Sequence, residues 1–378
     1  MDGLLRIALK LLINDRGKFF TLIVGVAFSV FLMTQMTATF FGIMQRTAAN
    51  VINVGAKIWV MDNSVNSAAD NITLPDYVLD EVRSISAVRY AVPIFNSVGQ
   101  AKLADGKYQS VTVIGLDDTT LFGRPQILEG NITSIYNDDA FIVIKDSEYG
   151  KLESPKIGAS FEINDHRVVI VALGKVALSG LFGTPTLYTT YKRAIKTLPT
   201  TRNTISYILI EPKDLSAIEH IKAEVQNFGY TALTAKEFIK KNILYYMFRT
   251  GVGLNILTMT LISFVVGLSI AGQTFYTFVQ ENLEKFGALK AIGARKNELI
   301  NMILFQSCVV GFIGYGFGVC LASLVIGFGK FRIPNYAPII TYPNLVFSFI
   351  MVIIIVAFSS YLGIRKVIRI EPFDIFRG

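Results

Sequence analysis

His166 and His220 are the first side chains to weigh for chemistry, since imidazole is the commonest metal ligand and the usual general base near neutral pH. Neither has a second ligand at metal-binding spacing, so both read as surface residues, one beside a strand and one on a helix. Phosphate chemistry would need a G-x-x-x-x-G-K-S/T loop, whose backbone amides cradle the phosphates. No such string occurs, and Gly329 with Lys330 lacks both the earlier glycine and the following hydroxyl. Leu178, Ser179 and Gly180 lack the glycine two residues before serine that a nucleophile elbow requires. Cys308 and Cys320 fall in one apolar stretch without a neighbouring base, which predicts small buried side chains rather than reactive thiols or a disulfide framework. The expectation is a non-catalytic chain with no metal or cofactor of its own.

What the sequence does supply is apolar length. Hydrophobic residues make up 52% of the 378 and charged ones 17%, a balance unlike that of a soluble domain. Charge-free runs cover 19–45, 250–280, 299–329 and 333–363, each longer than the roughly 20 residues a helix needs to cross the hydrocarbon core. Four transmembrane helices are predicted, at 19–45, 250–280, 299–329 and 343–364. The first exceeds the about 7 to 15 apolar residues of a signal peptide and is read as a retained anchor.

The net charge of +8 does not point to nucleic acid, because the basic residues cluster beside the spans. Arg6, Lys10, Arg16 and Lys18 precede the first span, and Lys285, Lys290, Arg295 and Lys296 lie between the second and third. Arg365, Lys366, Arg369 and Arg377 follow the fourth. By the positive-inside rule these three segments are cytoplasmic, both termini included; the large segment 46–249 and the short loop 330–342 lie outside.

Those elements leave three segments to place. Residues 1–18 put Leu5, Ala8, Leu9 and Leu12 on one face and Arg6 and Lys10 on another, which fits a helix in the cytoplasmic interface or a plain extension of the first span. Segment 46–249 reads as a mixed α/β domain. Pro75 and Asp76 open a helix carrying Val78, Leu79 and Val82, and Asp214 caps another carrying Ile218, Ile221 and Val225, ended by Gly229. Strands are predicted at 88–95, 98–103, 110–114, 140–144, 160–163, 167–172 and 206–210. The turn-rich stretch 117–177 reads as a β-rich insertion, giving two subdomains. The triplets starting at Asn71 and Asn131 match glycosylation acceptors, a pattern too common by chance to weigh.

Residues 234–249 read as a helix with Phe238, Leu244 and Phe248 available for packing. With neither Gly nor Pro between Thr234 and Thr250, this helix is expected to run unbroken into the second span, a rod of roughly 80 Å from Thr234 to Phe286. Gly314, Gly318 and Ala322 share a face of the third span at the spacing of close helix packing. Polar residues within the spans, Gln35, Thr34, Thr37 and Thr39 in the first and Ser263, Ser269, Gln273 and Thr274 in the second, fit interhelical hydrogen bonds or a polar path.

The charged connector 281–298 between two apolar spans is the place where a soluble partner could push on the membrane part. Ala288, Leu289 and Ile292 can share one face of a short helix bracketed by Gly287 and Gly293, with Lys290 pointing away. The string LEKFGALKAIGARKNELI resembles the segment after the second span in MacB-type, FtsX-like ABC transporter permeases. Glu284, Gly287, Leu289, Lys290, Ala291, Ile292, Gly293 and Ala294 match that pattern, and Ala288 lies within it. Within the family, the Lys290-Ala291-Ile292-Gly293 string with a nearby Tyr-rich second span resembles the DevC-like exporters. It departs from many relatives in carrying Gln306 and Ser307 where they have Glu and Ala, so no role is carried onto Gln306.

The resemblance implies a MacB-like (type VII) ABC permease architecture: four transmembrane helices, a mixed α/β extracytoplasmic domain after the first, and a Pro-containing tail, here 371–377. It implies a bacterial inner-membrane protein that forms a homodimer or heterodimer and binds a separate ABC ATPase subunit, which holds the ATP. The leading expectation is mechanotransmission within a tripartite efflux or secretion pump, with a periplasmic adaptor and an outer-membrane channel. The alternatives are an FtsX-like signal transmitter acting on a cell-wall hydrolase, and lipoprotein extraction of the LolC-like or LolE-like kind.

Overall fold

The computed structural model describes residues 2–70, 72–103, 105–146, 148–180, 183–198, 205–333 and 335–368. Asn71, Arg369 and the tail 371–377, each singled out from the sequence, lie outside them. In chain order the helices and strands begin with α1 (Asp2–Asn14), α2 (Arg16–Thr47), α3 (Ala49–Val54), β1 (Ile58–Met61), α4 (Tyr77–Ser84), β2 (Val88–Lys102) and β3 (Tyr108–Leu116). There follow β4 (Gln126–Gly130), β5 (Ala140–Ile144), β6 (Ser160–Ile163), β7 (His166–Lys175), β8 (Thr186–Thr190), α5 (Tyr191–Thr197) and β9 (Tyr207–Pro212). The chain continues through α6 (Ile218–Asn227), β10 (Thr231–Thr234), α7 (Ala235–Phe248), α8 (Gly251–Glu281), α9 (Leu283–Ala291), α10 (Lys296–Arg332) and α11 (Tyr342–Ile368). Two compact units result, one from Met1–Gly42, Val252–Arg332 and Tyr336–Gly378, the other from Ile43–Gly251 with Ile333–Asn335.

In the first unit, α2, α8, α10 and α11 are each long and apolar enough to cross a membrane. Helices α2 and α10 overrun their charge-free runs by a few residues at both ends, because Lys and Arg near a helix end can reach the interface with their heads. The N-terminal segment forms a helix of its own, because Asp15 interrupts it. The Asp15 side chain accepts the Lys18 backbone N–H at 3.2 Å and so caps α2. Ala8 and Leu12 of α1 are fully buried, and the Ala8 carbonyl accepts Gln306 Nε2 at 2.8 Å.

Close helix contact in this unit runs along α10. A Cβ on Gly318 would lie 2.6 Å from the Ala27 carbonyl oxygen, and one on Gly314 would lie 2.7 Å from Val26 Cγ1, so both glycines sit directly against α2. Ala322 continues this buried line. Turning it inward rotates Cys308 and Cys320 outward, so both thiols are exposed on the helix surface rather than buried as the sequence suggested. Many of the spans' polar groups bond helix carbonyls, a neighbouring helix or the loop before α11. Thr37 donates to Met33 O, Ser263 to Met259 O and Ser269 to Val265 O, while Thr34 meets Ser348 and Gln35 meets Tyr336.

The second unit is organised by a ten-stranded sheet in the order β10-β1-β9-β2-β3-β8-β5-β7-β4, with β6 pairing β2 and β7. The sequence divided residues 88–103 into two strands; they form one, β2. Its first half pairs β9 up to Ile94 and its second pairs β3 from Phe95 onward, so a single strand serves both lobes. The β-rich lobe is accordingly wider than the insertion 117–177, since it also takes the second half of β2, β3 and β8. One core gathers Ile58, Val78, Val82, Ile208, Ile221 and Val225 under α4 and α6. A second gathers Phe95, Val111, Phe141, Ile170 and Leu187, and a third, containing Trp59, Tyr188, Tyr207 and Phe238, joins the lobes.

Helix α7 begins at a capping box: Thr234 Oγ1 accepts the Glu237 N–H, and the Glu237 carboxylate accepts the Thr234 N–H at 2.8 Å. Its inner face buries Phe238 and Asn242, whereas Leu244 and Phe248 are exposed. The expected unbroken rod is absent. Helix α7 stops at Phe248, with the Thr250 hydroxyl turned back to Tyr246 O, and α8 begins at Gly251. Asn282 then separates α8 from α9. Glycine lowers helix propensity, and Gly251 and Gly253 stand where the rod was expected to continue.

Gly318→Val should destabilise the protein in detergent by about 1–3 kcal/mol, read as a lower melting temperature. Gly316→Ala, where a Cβ meets nothing within 4 Å, should leave it unchanged. A second expectation concerns acid. The Lys222 ammonium, and then the Thr234 amide and hydroxyl, hold the Glu237 carboxyl below its ordinary range. Its contribution is therefore complete above the unfolded carboxylate pKa of about 4.3 and is lost as pH falls through the lower folded value. Hydrogen exchange in the first turn of α7, corrected for intrinsic rate, should lose protection over that window, and Glu237→Gln should abolish the dependence.

Candidate functional site

The turn between α8 and α10 is built to hold its shape. Asn282, 4% exposed, donates from Nδ2 to Phe278 O at 2.9 Å and accepts Lys285 Nζ at 2.8 Å, which fixes where α9 departs from α8. Lys18 pairs with Glu281 beside this junction. Phe286, fully buried, anchors α9 in the helix core, with Gly287 buried next to it.

A Schellman motif ends α9. The Ala294 N–H reaches Leu289 O at 3.0 Å and the Gly293 N–H reaches Lys290 O at 3.1 Å. Gly293 takes φ +108, a backbone conformation closed to residues with a Cβ except under strain. Leu289 and Ala294 both pack against the helix core, supplying the apolar contact that accompanies this motif. One residue later the Glu298 carboxylate accepts the Arg295 N–H at 2.7 Å and so caps α10.

This geometry divides the sequence-selected residues. Glu284, Ala288, Ala291, Ile292 and Gly293 are exposed, whereas Gly287 is buried and Leu289, Lys290 and Ala294 are half-buried. Leu289 and Ile292 therefore do not share a face as expected: Leu289 points into the core while Ile292 is 85% exposed at the tip of the turn. Lys290 does not point away either, since its Nζ reaches the Ile368 carbonyl at 3.4 Å. The reason is where the core lies, not a break in the helix: Ile292 keeps right-handed backbone as the C-cap of α9, and only the side bearing Phe286 and Leu289 meets the core. Asn282 and Phe286 were missed, although an Asn at a junction between two helical runs is a readable capping signal. Gln306, to which no role was assigned, ties α10 to α1. His166 and His220 stay apart from any metal-binding set, and among the described residues no cluster could hold a metal.

The fold and this turn define a polytopic membrane protein with a mixed α/β domain inserted between its first and second apolar helices. Residues 19–228 match the MacB-like periplasmic core domain and residues 256–372 the FtsX-like permease C-terminal family. The chain belongs to this family, the MacB-type, FtsX-like ABC transporter permeases. An uncharacterized ABC transporter permease of Mycobacterium tuberculosis, found in strains H37Rv and CDC 1551, is 22% identical over 358 residues, covering 94% of this chain and 93% of the relative. Among solved structures, the periplasmic region of MacB from Actinobacillus actinomycetemcomitans aligns with TM-score 0.38 at 12% identity, over 51% of this chain and 94% of that one. The extracellular domain of the noncanonic ABC-type transporter YknZ from Gram-positive bacteria aligns with TM-score 0.36 at 13% identity, over 47% and 98%.

The division of the turn is testable by stability alone. Leu289→Asp brings a carboxylate against the apolar core and should lower the melting temperature in detergent by at least about 5 °C, whereas Ile292→Asp should leave it unchanged.

Proposed function

We propose that this chain is the non-catalytic membrane subunit of an ABC transporter, in which the turn 281–298 takes up force from a separate ATPase and passes it to the inserted domain. The observation that carries the reading is Ile292, a large apolar side chain 85% exposed on a turn made rigid by the Schellman motif and the Glu298 cap. An exposed apolar knob on a rigid support, in a segment that also exposes Glu284, Lys285 and Arg295, suits insertion into a groove of a soluble partner. Ala288 and Ala291 beside it allow close approach of that partner's backbone.

Basic flanks orient the chain with both termini and the turn on the cytoplasmic side of a bacterial inner membrane and the inserted domain on the periplasmic side. Two permease copies serve two ATPases, and the working assembly includes a periplasmic adaptor and an outer-membrane channel for efflux or secretion. Family membership and the two-lobed inserted domain support this reading. Work enters through α9, and the turn residues hold its geometry while the ATPase supplies the hydrolysis.

Co-purification tests it. The full-length chain should bring down an ATPase, and Ile292→Asp should reduce its recovery at least about tenfold, the equivalent of about 1.4 kcal/mol, without altering the melting temperature. Equal recovery with Ile292→Asp, or no ATPase with the unaltered chain, would sink the proposal.

A further inference from the structure

Helix α8 has two unlike faces. One packs inside the chain: a Cβ on Gly267 would lie 2.3 Å from Ser29 Cβ of α2, and one on Gly363 of α11 would lie 2.9 Å from Val279 Cγ2 of α8. The opposite face is not used within the chain. Asn255, Met259, Ile262, Val266, Ser269 and Gln273 follow one another along it, all exposed, at the alternating spacings of four and three residues by which one helix meets another along its length. Any exposed stripe of a helix has that spacing; what sets this one apart is its chemistry.

The exposed sides of α10 and α11 present Phe312, Phe317, Leu324, Ile350, Ile353 and Phe358, side chains that suit lipid. Helix α8 instead presents the carboxamide of Gln273, about 12 Å along the axis from Glu281 at 1.5 Å per residue. Three carboxamides elsewhere in this unit are satisfied within the chain. Gln35 donates to the Tyr336 hydroxyl at 2.7 Å, Gln306 to Ala8 O at 2.8 Å and Asn344 to Thr34 O at 3.1 Å. Ser269, one turn from Gln273, returns its proton to Val265 O at 2.8 Å. The Gln273 side chain has no hydrogen-bond partner among the described residues. Hydrocarbon offers neither donor nor acceptor, so a carboxamide left against it is costly, and a second helix that bonds it is favoured.

A second copy of this chain supplies what Gln273 lacks. Copies insert in the same orientation, so a two-fold axis along the membrane normal sets α8 against α8 with Gln273 at one depth in both. A carboxamide carries one acceptor and two donors. Two of them facing across the axis each donate to the other's oxygen, so the residue is its own complement, whereas an unrelated helix would have to bring a donor and an acceptor to that depth. Gln280, two turns further on, stands exposed on the same stripe. We propose that two copies of this chain meet along this stripe of α8, with Gln273 of each hydrogen-bonded to Gln273 of the other. The inference rests on the two-copy arrangement of the coupling reading, and a dimer held through some other face would overturn it while leaving that reading intact.

Cross-linking tests the contact. The full-length protein carrying Cys308→Ser and Cys320→Ser, so that no native thiol competes, would receive Ser269→Cys, Gln273→Cys or, as a control on α11, Ile353→Cys. Each variant would be reconstituted at high dilution in phospholipid vesicles and oxidised with copper phenanthroline. Disulfide-linked dimers are expected for Ser269→Cys and Gln273→Cys, and monomer for Ile353→Cys. In detergent, Gln273→Leu should raise the dimer dissociation constant at least about fivefold with helix content by circular dichroism unchanged, and Ile353→Ala should not raise it. The proposal is overturned by cross-linking at Ile353→Cys equal to that at Gln273→Cys, by monomer at both α8 positions, by an unaltered dissociation constant in Gln273→Leu, or by an unaltered chain that stays monomeric.

Discussion

Hydrocarbon accepts no unpaired backbone amide or carbonyl, and most of this molecule follows from that constraint. It forces α2, α8, α10 and α11 into long helices whose backbones are satisfied internally, and it removes the hydrophobic effect as a reason for them to associate. Contact is left to close packing at small residues, as where Gly314 and Gly318 of α10 lie against Val26 and Ala27 of α2. Because regular helix is compulsory within the bilayer, distinctive shape is confined to the places where a helix stops. Asn282 and Gly293 are two of those places, and between them they set out the turn that carries Ile292.

The inserted domain answers a different requirement, that one continuous sheet serve two lobes with separate cores. Strand β2 meets it by changing partner partway, from β9 to β3, so the lobes share a covalent strand instead of only a surface contact. Phe238 of α7 packs into the core that joins the lobes, with Trp59 and Tyr207 at ring distances of 5.7 Å. Asn242, one turn further along α7, accepts the Ala68 N–H and donates to Thr47 Oγ1, tying that helix to the end of α2. The segment leading into α8 is thereby attached to the domain by an aromatic cluster and by a fully buried amide.

Much of this was legible in advance. Runs without charge located the four long helices because burial in lipid is a property of composition over a span's length. The cap at Asp214 was legible because capping is local chemistry. The rod from Thr234 to Phe286 was misread because absence of Gly and Pro up to Thr250 says nothing about the glycines immediately after it. The two strands read at 88–95 and 98–103 are one because Asn96 and Ser97, turn formers by composition, continue the ladder opposite Ile114 and Val113. The cysteines were misassigned because hydrophobicity cannot say which side of a membrane helix faces lipid.

By itself, then, the sequence determined the number of spans, the mixed character of the inserted domain and the short segment most similar to a coupling turn, since each depends on local composition or on a contiguous string. Tertiary structure decided which side chains that segment presents. Leu289 and Ile292 are alike in chemistry and three apart in the chain, a spacing that puts both on one face of an unbroken helix. The core around Phe286 takes up Leu289 and leaves Ile292 exposed beyond it.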